Sequence, residues 1–209
     1  MDSQYVPVFG TMNFLAHIFL SGKHQEVMVG NFIADYVKGR KKDDFPGLIR
    51  LGIELHRHID DFTDHHPVTE FSKVRLRPTQ GKYAAVVTDL VYDHFLAKDF
   101  ELYSAIPLHQ FVQDAYALLS ASREQLPEPV RMFLPFMIER NWLVNYATVE
   151  GIGRSMAGLS RRVAFKNHMD TAADDLVKLY EPLHEDFRSF FPALLDSAAS
   201  WRVAHGLEH

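Results

Sequence analysis

The chain has 209 residues, with 22 basic and 27 acidic side chains and a formal net charge of −5. That length suits one domain with a substantial core, and the acidic balance argues against a globally basic nucleic-acid binder. The absence of cysteine excludes disulfides, thiolate nucleophiles and zinc–thiolate sites, and it fits a cytoplasmic protein.

Residues 1–11 read as a leader without a secretory signal, because no basic stretch precedes an apolar one. The working domain is expected over residues 12–206. Leu207-Glu208-His209 reads as the remnant of an affinity tag. In between, the pattern is helical almost throughout. The spacing of Val27, Met28, Ile33, Ala34 and Val37 predicts a helix over 26–38, stopped by Gly39. Pro46 opens a helix carrying Leu48, Ile49, Leu51, Ile53 and Leu55 to about Asp64, and Pro67 closes the loop that follows. Further helices are predicted over 81–98, 107–121, 128–147 and 168–203, the last kinked or split at Pro182 and Pro192. No apolar run approaches the roughly 20 residues of a membrane span. The expected fold is all-α, a compact multi-helix bundle with no internal repeat.

Chemistry concentrates in the first half. His56, Asp60 and Asp64 follow one another at steps of four, which places them on one helical face. Asp89, Asp93 and His94 form a second group on an apolar helix. His17 and Asp35 also lie in apolar surroundings, where a carboxylate is costly unless paired or metal-bound. Two buried aspartates four apart repel, and a divalent cation relieves the repulsion. A mixed imidazole and carboxylate set favours manganese, iron, nickel or zinc over calcium, and open positions leave room for phosphate and water. The bland reading of any one histidine is a packed or surface side chain; His58, His65 and His66 are read that way, and Arg57 with Asp61 as a surface ion pair. No Walker loop, nucleophile elbow or H-E-x-x-H motif occurs. Glu181-Pro182-Leu183-His184 supplies a lone E-x-x-H with a proline inside it.

These residues resemble a known family. Met12-Asn13-Phe14-Leu15-Ala16-His17, Gly30-Asn31-Phe32-Ile33-Ala34-Asp35, His56-Arg57 with Ile59-Asp60, Thr63-Asp64, Pro67, Asp89 and Asp93-His94-Phe95-Leu96 are similar to the acyl carrier protein phosphodiesterases. Trp142-Leu143, Tyr146 and Ser160-Arg161-Arg162 extend the likeness. The resemblance implies a helical relative of the HD-domain phosphohydrolases. It also implies an activity that removes 4′-phosphopantetheine from holo acyl carrier protein, with Mn2+ as the expected ion and Fe2+, Mg2+ or Ni2+ as others. One departure from the HD pattern is that His56 is followed by Arg57; the adjacent pair here is Asp93-His94, in reverse order.

Combining both readings, the expected metal ligands are His17, Asp35, His56, Asp60, Asp89 and Asp93. Asp64 or His94 would position water or protonate the leaving oxygen, and Arg57 would neutralise phosphate oxygens. Trp142 and Tyr146 are candidates for the wall of a pantetheine groove. An acidic carrier protein calls for a local positive face, for which Lys38, Arg40, Lys41 and Lys42 are the first choice and Arg161 and Arg162 the second. Two other functions compete: a phosphohydrolase of nucleotides or other small phosphoesters, and a non-catalytic module that holds carrier proteins.

Overall fold

The computed structural model describes residues 13–207. Among them the chain is all-helical, as expected, with no strand. In order come α1 (Phe14–Leu20), α2 (Gln25–Ile33), α3 (Gly47–His65), α4 (Pro67–Gln80), α5 (Ala84–Lys98) and α6 (Leu108–Ala121). They are followed by α7 (Glu128–Glu139), α8 (Trp142–Asn145), α9 (Val149–Ser160), α10 (Ala172–Lys178) and α11 (Tyr180–Ala204). Residues 1–11, read as a leader, lie outside the described residues.

Helix α5 is the centre of the bundle. Val87, Leu90, Val91, Phe95 and Leu96 are all fully buried, and a helix apolar on every side belongs inside a core. Helices α1, α4, α9 and α11 pack around it. Helices α2 and α3 cross so closely that only glycine fits at the contact. A Cβ on Gly30 would stand 2.0 Å from the Ile49 carbonyl oxygen, and one on Gly52 would stand 2.1 Å from that of Val27. This crossing sets Asn31 and Asp35 of the α2 segment against His56 of α3.

Several elements differ from the sequence expectation. Helix α2 ends at Ile33, and a 3-10 turn over Ala34–Tyr36 leads into extended backbone at Val37. Pro67 does not close a loop; it is the first residue of α4, where its missing N–H costs nothing. The His66 imidazole caps that helix by accepting from the Val68 N–H at 3.3 Å. The stretch 128–147 is broken at Asn141, whose φ of 46° is left-handed. Helix α9 lies outside the helices that the sequence pattern predicts; Thr148 caps it by accepting from the Gly151 N–H at 3.1 Å. The last stretch breaks at Leu179 rather than at a proline. Pro182 lies in the first turn of α11, whose amides lack helical partners anyway, and α11 continues through Pro192.

Leu207, read above with the tag remnant, is buried, and its N–H bonds the Arg202 carbonyl at 2.9 Å. No described helix is long and apolar enough to cross a membrane.

Candidate metal centre

Three segments bring two imidazoles and two carboxylates to one point. His17 comes from α1, Asp35 from the 3-10 turn after α2, and His56 and Asp60 from successive turns of α3. The rings of His17 and His56 stack with centroids 3.8 Å apart. His17 Nε2 stands 3.2 Å from Asp60 Oδ1. His56 Nε2 stands 3.1 Å from Asp60 Oδ2 and 3.4 Å from Asp35 Oδ1. Both histidines are buried, while Asp60 keeps 37% of its side-chain surface and opens the cluster to solvent.

Asn31 orients both rings. Its side-chain amide donates to the His17 carbonyl at 2.8 Å and to Ser21 Oγ at 3.0 Å, which fixes Oδ1 on the opposite side. His17 Nδ1–H donates to that Oδ1 at 2.8 Å. His56 Nδ1–H donates to the Asn31 backbone carbonyl at 2.9 Å and approaches Oδ1 at 3.2 Å. With each Nδ1 committed, each Nε2 is turned toward the carboxylates. Binding histidines that donate the other N–H to a fixed acceptor are the usual outer shell of a metal site. Replacing Asn31 with alanine should weaken divalent-ion affinity about 10- to 100-fold. Competition against a fluorescent chelator measures this, and unchanged affinity would show that Asn31 does not orient the ligands.

The charges agree with a cation site. Burial and the nearby His56 hold His17 below the ordinary imidazole range. Burial also acts to lower His56, but the close approach of the Asp35 and Asp60 carboxylates outweighs it and pushes His56 up to about 10. Asp60 shows the converse: burial would raise it, and the two imidazoles hold it well below the carboxylate range. The cluster thus sets two buried imidazoles against two carboxylates, an arrangement in which a cation is favoured. The Nε2 atoms of His17 and His56 are buried and make no properly directed hydrogen bond. The ligand atoms of His17, His56 and Asp60 lie within 4.8 Å of one another. Separations near 3 Å are those of neighbouring donors at about 2.1 Å from one small divalent ion. The residues present therefore fit such an ion.

The other expected site residues are placed differently. Asp93 is fully buried and accepts the N–H groups of Leu15 at 2.9 Å and Ala16 at 2.8 Å, one on each oxygen. It ties down the first turn of α1, and with it His17. Burial pushes its carboxyl up to about 8, against the opposing pull of those two amides. Asp89 lines a cavity of about 20 Å³ with Asn13, Ala16 and Thr63, room for roughly one water. Burial and the charges of Asp60 and Asp64 raise its carboxyl well above the usual range. Asp64 is exposed and pairs with Lys73 at 3.0 Å. His94 spends both ring nitrogens elsewhere: Nδ1–H donates to the Tyr146 carbonyl at 2.7 Å, and Nε2 meets the Tyr180 hydroxyl at 3.1 Å. Arg57 is exposed on α3, and Asp61 pairs with His65 at 3.3 Å. Lys38, Arg40 and Lys41 are exposed, while Lys42 is engaged by Glu54 at 2.7 Å. Arg161 and Arg162 are exposed at the end of α9, with Arg162 over the Trp142 ring at 5.8 Å. Tyr146 is wholly buried.

The sequence motifs include Asn31 without assigning it a role. An asparagine between Gly30 and Phe32 on an apolar helix is itself a signal, because a buried amide needs partners.

Comparison with known proteins decides the family. Residues 12–194 match the acyl carrier protein phosphodiesterase family. The chain belongs to that family. Among its relatives is the acyl carrier protein phosphodiesterase of Photorhabdus laumondii subsp. laumondii, 27% identical over 188 residues, spanning 90% of this chain and 95% of that protein. The protein of the same name from Enterobacter sp. (strain 638) is 29% identical and is spanned to 97%. That of Escherichia coli O139:H28 is 31% identical over 199 residues and is spanned to 98%. No solved structure matches the chain. Motif residues shared with the family in the sequence reading, His17, Asp35, His56 and Asp60, are the four that meet in space.

Proposed function

We propose that this chain is a divalent-metal-dependent phosphodiesterase that hydrolyses the bond between 4′-phosphopantetheine and the serine of holo acyl carrier protein, releasing apo carrier protein. The observation that carries the reading is the pair of buried imidazoles whose unpartnered Nε2 atoms face Asp60 and Asp35. Membership of a family whose relatives bear that activity as their name supplies the substrate. The working ligand set is His17, Asp35, His56 and Asp60, with Asp89 beside it and Asp93 as the anchor of α1. A divalent ion held there, Mn2+ as the family resemblance implies, would supply Lewis acidity toward a phosphate oxygen and toward water.

The chain's own residues do the rest. Asp60, the most open of the four, marks the side from which the phosphodiester enters. Arg57, one position after His56 and exposed, neutralises nonbridging phosphate oxygens as the substrate docks. Asp64 lies one turn beyond Asp60 and carries an exposed carboxylate; it orients water or returns a proton to the departing serine oxygen. His94, with both nitrogens bonded to Tyr146 and Tyr180, keeps a packing role in this scheme. The arm runs along the aromatic row Tyr36, Phe133 and Trp142, whose rings follow one another at 5.6 and 6.4 Å. Residues 12–206 act as one catalytic domain, a kin of the HD phosphohydrolases without their adjacent His-Asp pair, working in the cytoplasm.

The deciding experiment is intact-mass analysis of holo carrier protein incubated with the enzyme and manganese, with a chelated control and free nucleotides as competing substrates. Loss of the prosthetic-group mass only with metal supports the reading. Nucleotide turnover with the carrier protein left intact refutes it. Docking rests on Lys38, Arg40 and Lys41, with Arg161 and Arg162 extending the positive face. Arg40→Glu should raise the Michaelis constant for carrier protein about tenfold and flatten its salt dependence, leaving kcat near wild type. An unchanged Michaelis constant would remove that surface from the dock.

A further inference from the structure

Away from the His-Asp cluster, the end of α9 and the short helix α8 enclose a cleft of about 300 Å³. Four guanidinium groups line it: Arg140, Arg154, Arg161 and Arg162. Arg154 is paired with Glu150 at 2.6 Å, both exposed. No ion pair engages Arg140, Arg161 or Arg162 among the described residues. In a chain of net charge −5, three arginines without an ion-pair partner lining one concavity make it locally positive and suited to an anion. The floor is made of small residues of α9. A Cβ on Gly158 would meet only Arg161 Nη2, at 4.0 Å, so the space above it is open. Trp142, with Phe133 stacked at 6.4 Å and Arg162 near its ring, supplies an apolar wall.

We propose that this cleft is a binding site for a small organic phosphate, separate from the His-Asp cluster. Planar guanidinium forks match phosphate oxygens in pairs. The small-residue floor and Trp142 leave contact surface for a short carbon chain carried by the phosphate. Size argues against a protein segment: about 300 Å³ is at the lower end of small-molecule pockets. None of the lining residues belongs to the metal-ligand set, although Trp142, Arg161 and Arg162 also border the proposed path and dock of the carrier protein, so the test reads binding in the absence of that substrate.

Titration calorimetry of the metal-free protein with glycerol phosphate, at constant ionic strength and with glycerol as the control, tests it. Wild type should bind one equivalent with a dissociation constant below about 1 mM, and glycerol should give no heat. Arg140→Gln and Gly158→Leu should each weaken binding by about tenfold or more, the first by removing a fork and the second by filling the floor. Asp60→Asn, which alters the His-Asp cluster, should bind as wild type does. Thermal melts within about 3 °C of wild type certify that each variant is folded. Absence of binding at about 10 mM ligand, wild-type affinity in either Arg140→Gln or Gly158→Leu, or loss of binding in Asp60→Asn would each overturn the proposal. So would a rise in the Michaelis constant for carrier protein in Arg140→Gln without any glycerol phosphate binding to wild type, because the cleft would then serve carboxylates of the protein substrate.

Discussion

Asp60→Asn should abolish the release of phosphopantetheine from holo carrier protein, with kcat/KM falling about a thousandfold or more, while the fold survives. Asp60 is the one carboxylate within 3.5 Å of both imidazoles, at 3.2 and 3.1 Å. Its carboxylate is the negative charge nearest to each Nε2. Asparagine keeps the shape and removes the charge, so the set of two imidazoles and two carboxylates loses half of its anionic character. Lewis-acid stabilisation by a bound ion is worth several kcal/mol, and about 4 kcal/mol corresponds to three orders of magnitude in rate. The fold should tolerate the change because Asp60 is 37% exposed and its oxygens serve only the cluster. The metal-dependent mass assay and a chelator competition give the two readouts, and a circular-dichroism melt controls for folding. Retention of more than about a tenth of wild-type activity would show that the reaction does not depend on this cluster.

Gly52→Ala should cost about 3 kcal/mol or more of stability. Helix propensity alone predicts the opposite sign, because alanine is favoured over glycine by about 1 kcal/mol within a helix. The reason is contact with backbone. The added Cβ would fall 2.1 Å from the Val27 carbonyl oxygen, 2.8 Å from the Asn31 nitrogen and 2.8 Å from Gly30 Cα. None of these can swing aside as a flexible side chain would, so α2 and α3 must separate. Separation moves Asn31 away from His56, so the variant should also lose divalent-ion affinity. Gly47→Ala is the control: its Cβ meets nothing within 4 Å, so it should be neutral or stabilising. Urea unfolding supplies the comparison. Equal midpoints for Gly52→Ala and wild type would show that the helix crossing yields at little cost.

The helices that could be read from the sequence are those with an apolar stripe. Helix α3 is the clearest: Ile49, Ile53, Leu55 and Ile59 are buried, and its observed span, Gly47–His65, matches the expectation closely. Helix α4 was hidden because its buried side is polar. Ser72 bonds Tyr92 and Asp186, each at 2.9 Å, and Thr79 and Gln80 bond Asp175 at 2.7 and 2.6 Å. Hydrogen bonds to partners 20 to 114 residues away leave no periodic mark in a local window, while Phe71 and Val74 of the same helix face solvent. Helix α9 was masked by Gly151, Gly153 and Gly158, which read as loop. Gly151 is required by contact: its Cβ would stand 1.9 Å from the Asn145 carbonyl oxygen.

At the site, His56 and Asp60 were legible as one face because a helix repeats every 3.6 residues. His17 and Asp35 were legible only as polar groups in apolar surroundings, which says that they need partners and not which ones. Asp93 met the same description, yet the structure gives its two oxygens to the amides of Leu15 and Ala16. A buried carboxylate is satisfied equally well by a cation or by N–H groups at a helix start, and sequence spacing does not distinguish them. His94 is similar, its nitrogens taken by a carbonyl 52 residues away and a hydroxyl 86 residues away.

By itself, then, the amino-acid order determined the helical class, the α3 face and the family, since each depends on residues near one another or on a motif read in line. The tertiary structure decided which of six candidate ligands converge and that Asn31 aims both imidazoles. It also decided that a glycine crossing sets their spacing and that four arginines, from α9 and from the turns after α7 and α9, share a cleft. Those outcomes depend on how helices distant in sequence pack, where the angle and separation of α2 and α3 set side-chain distances to within an ångström.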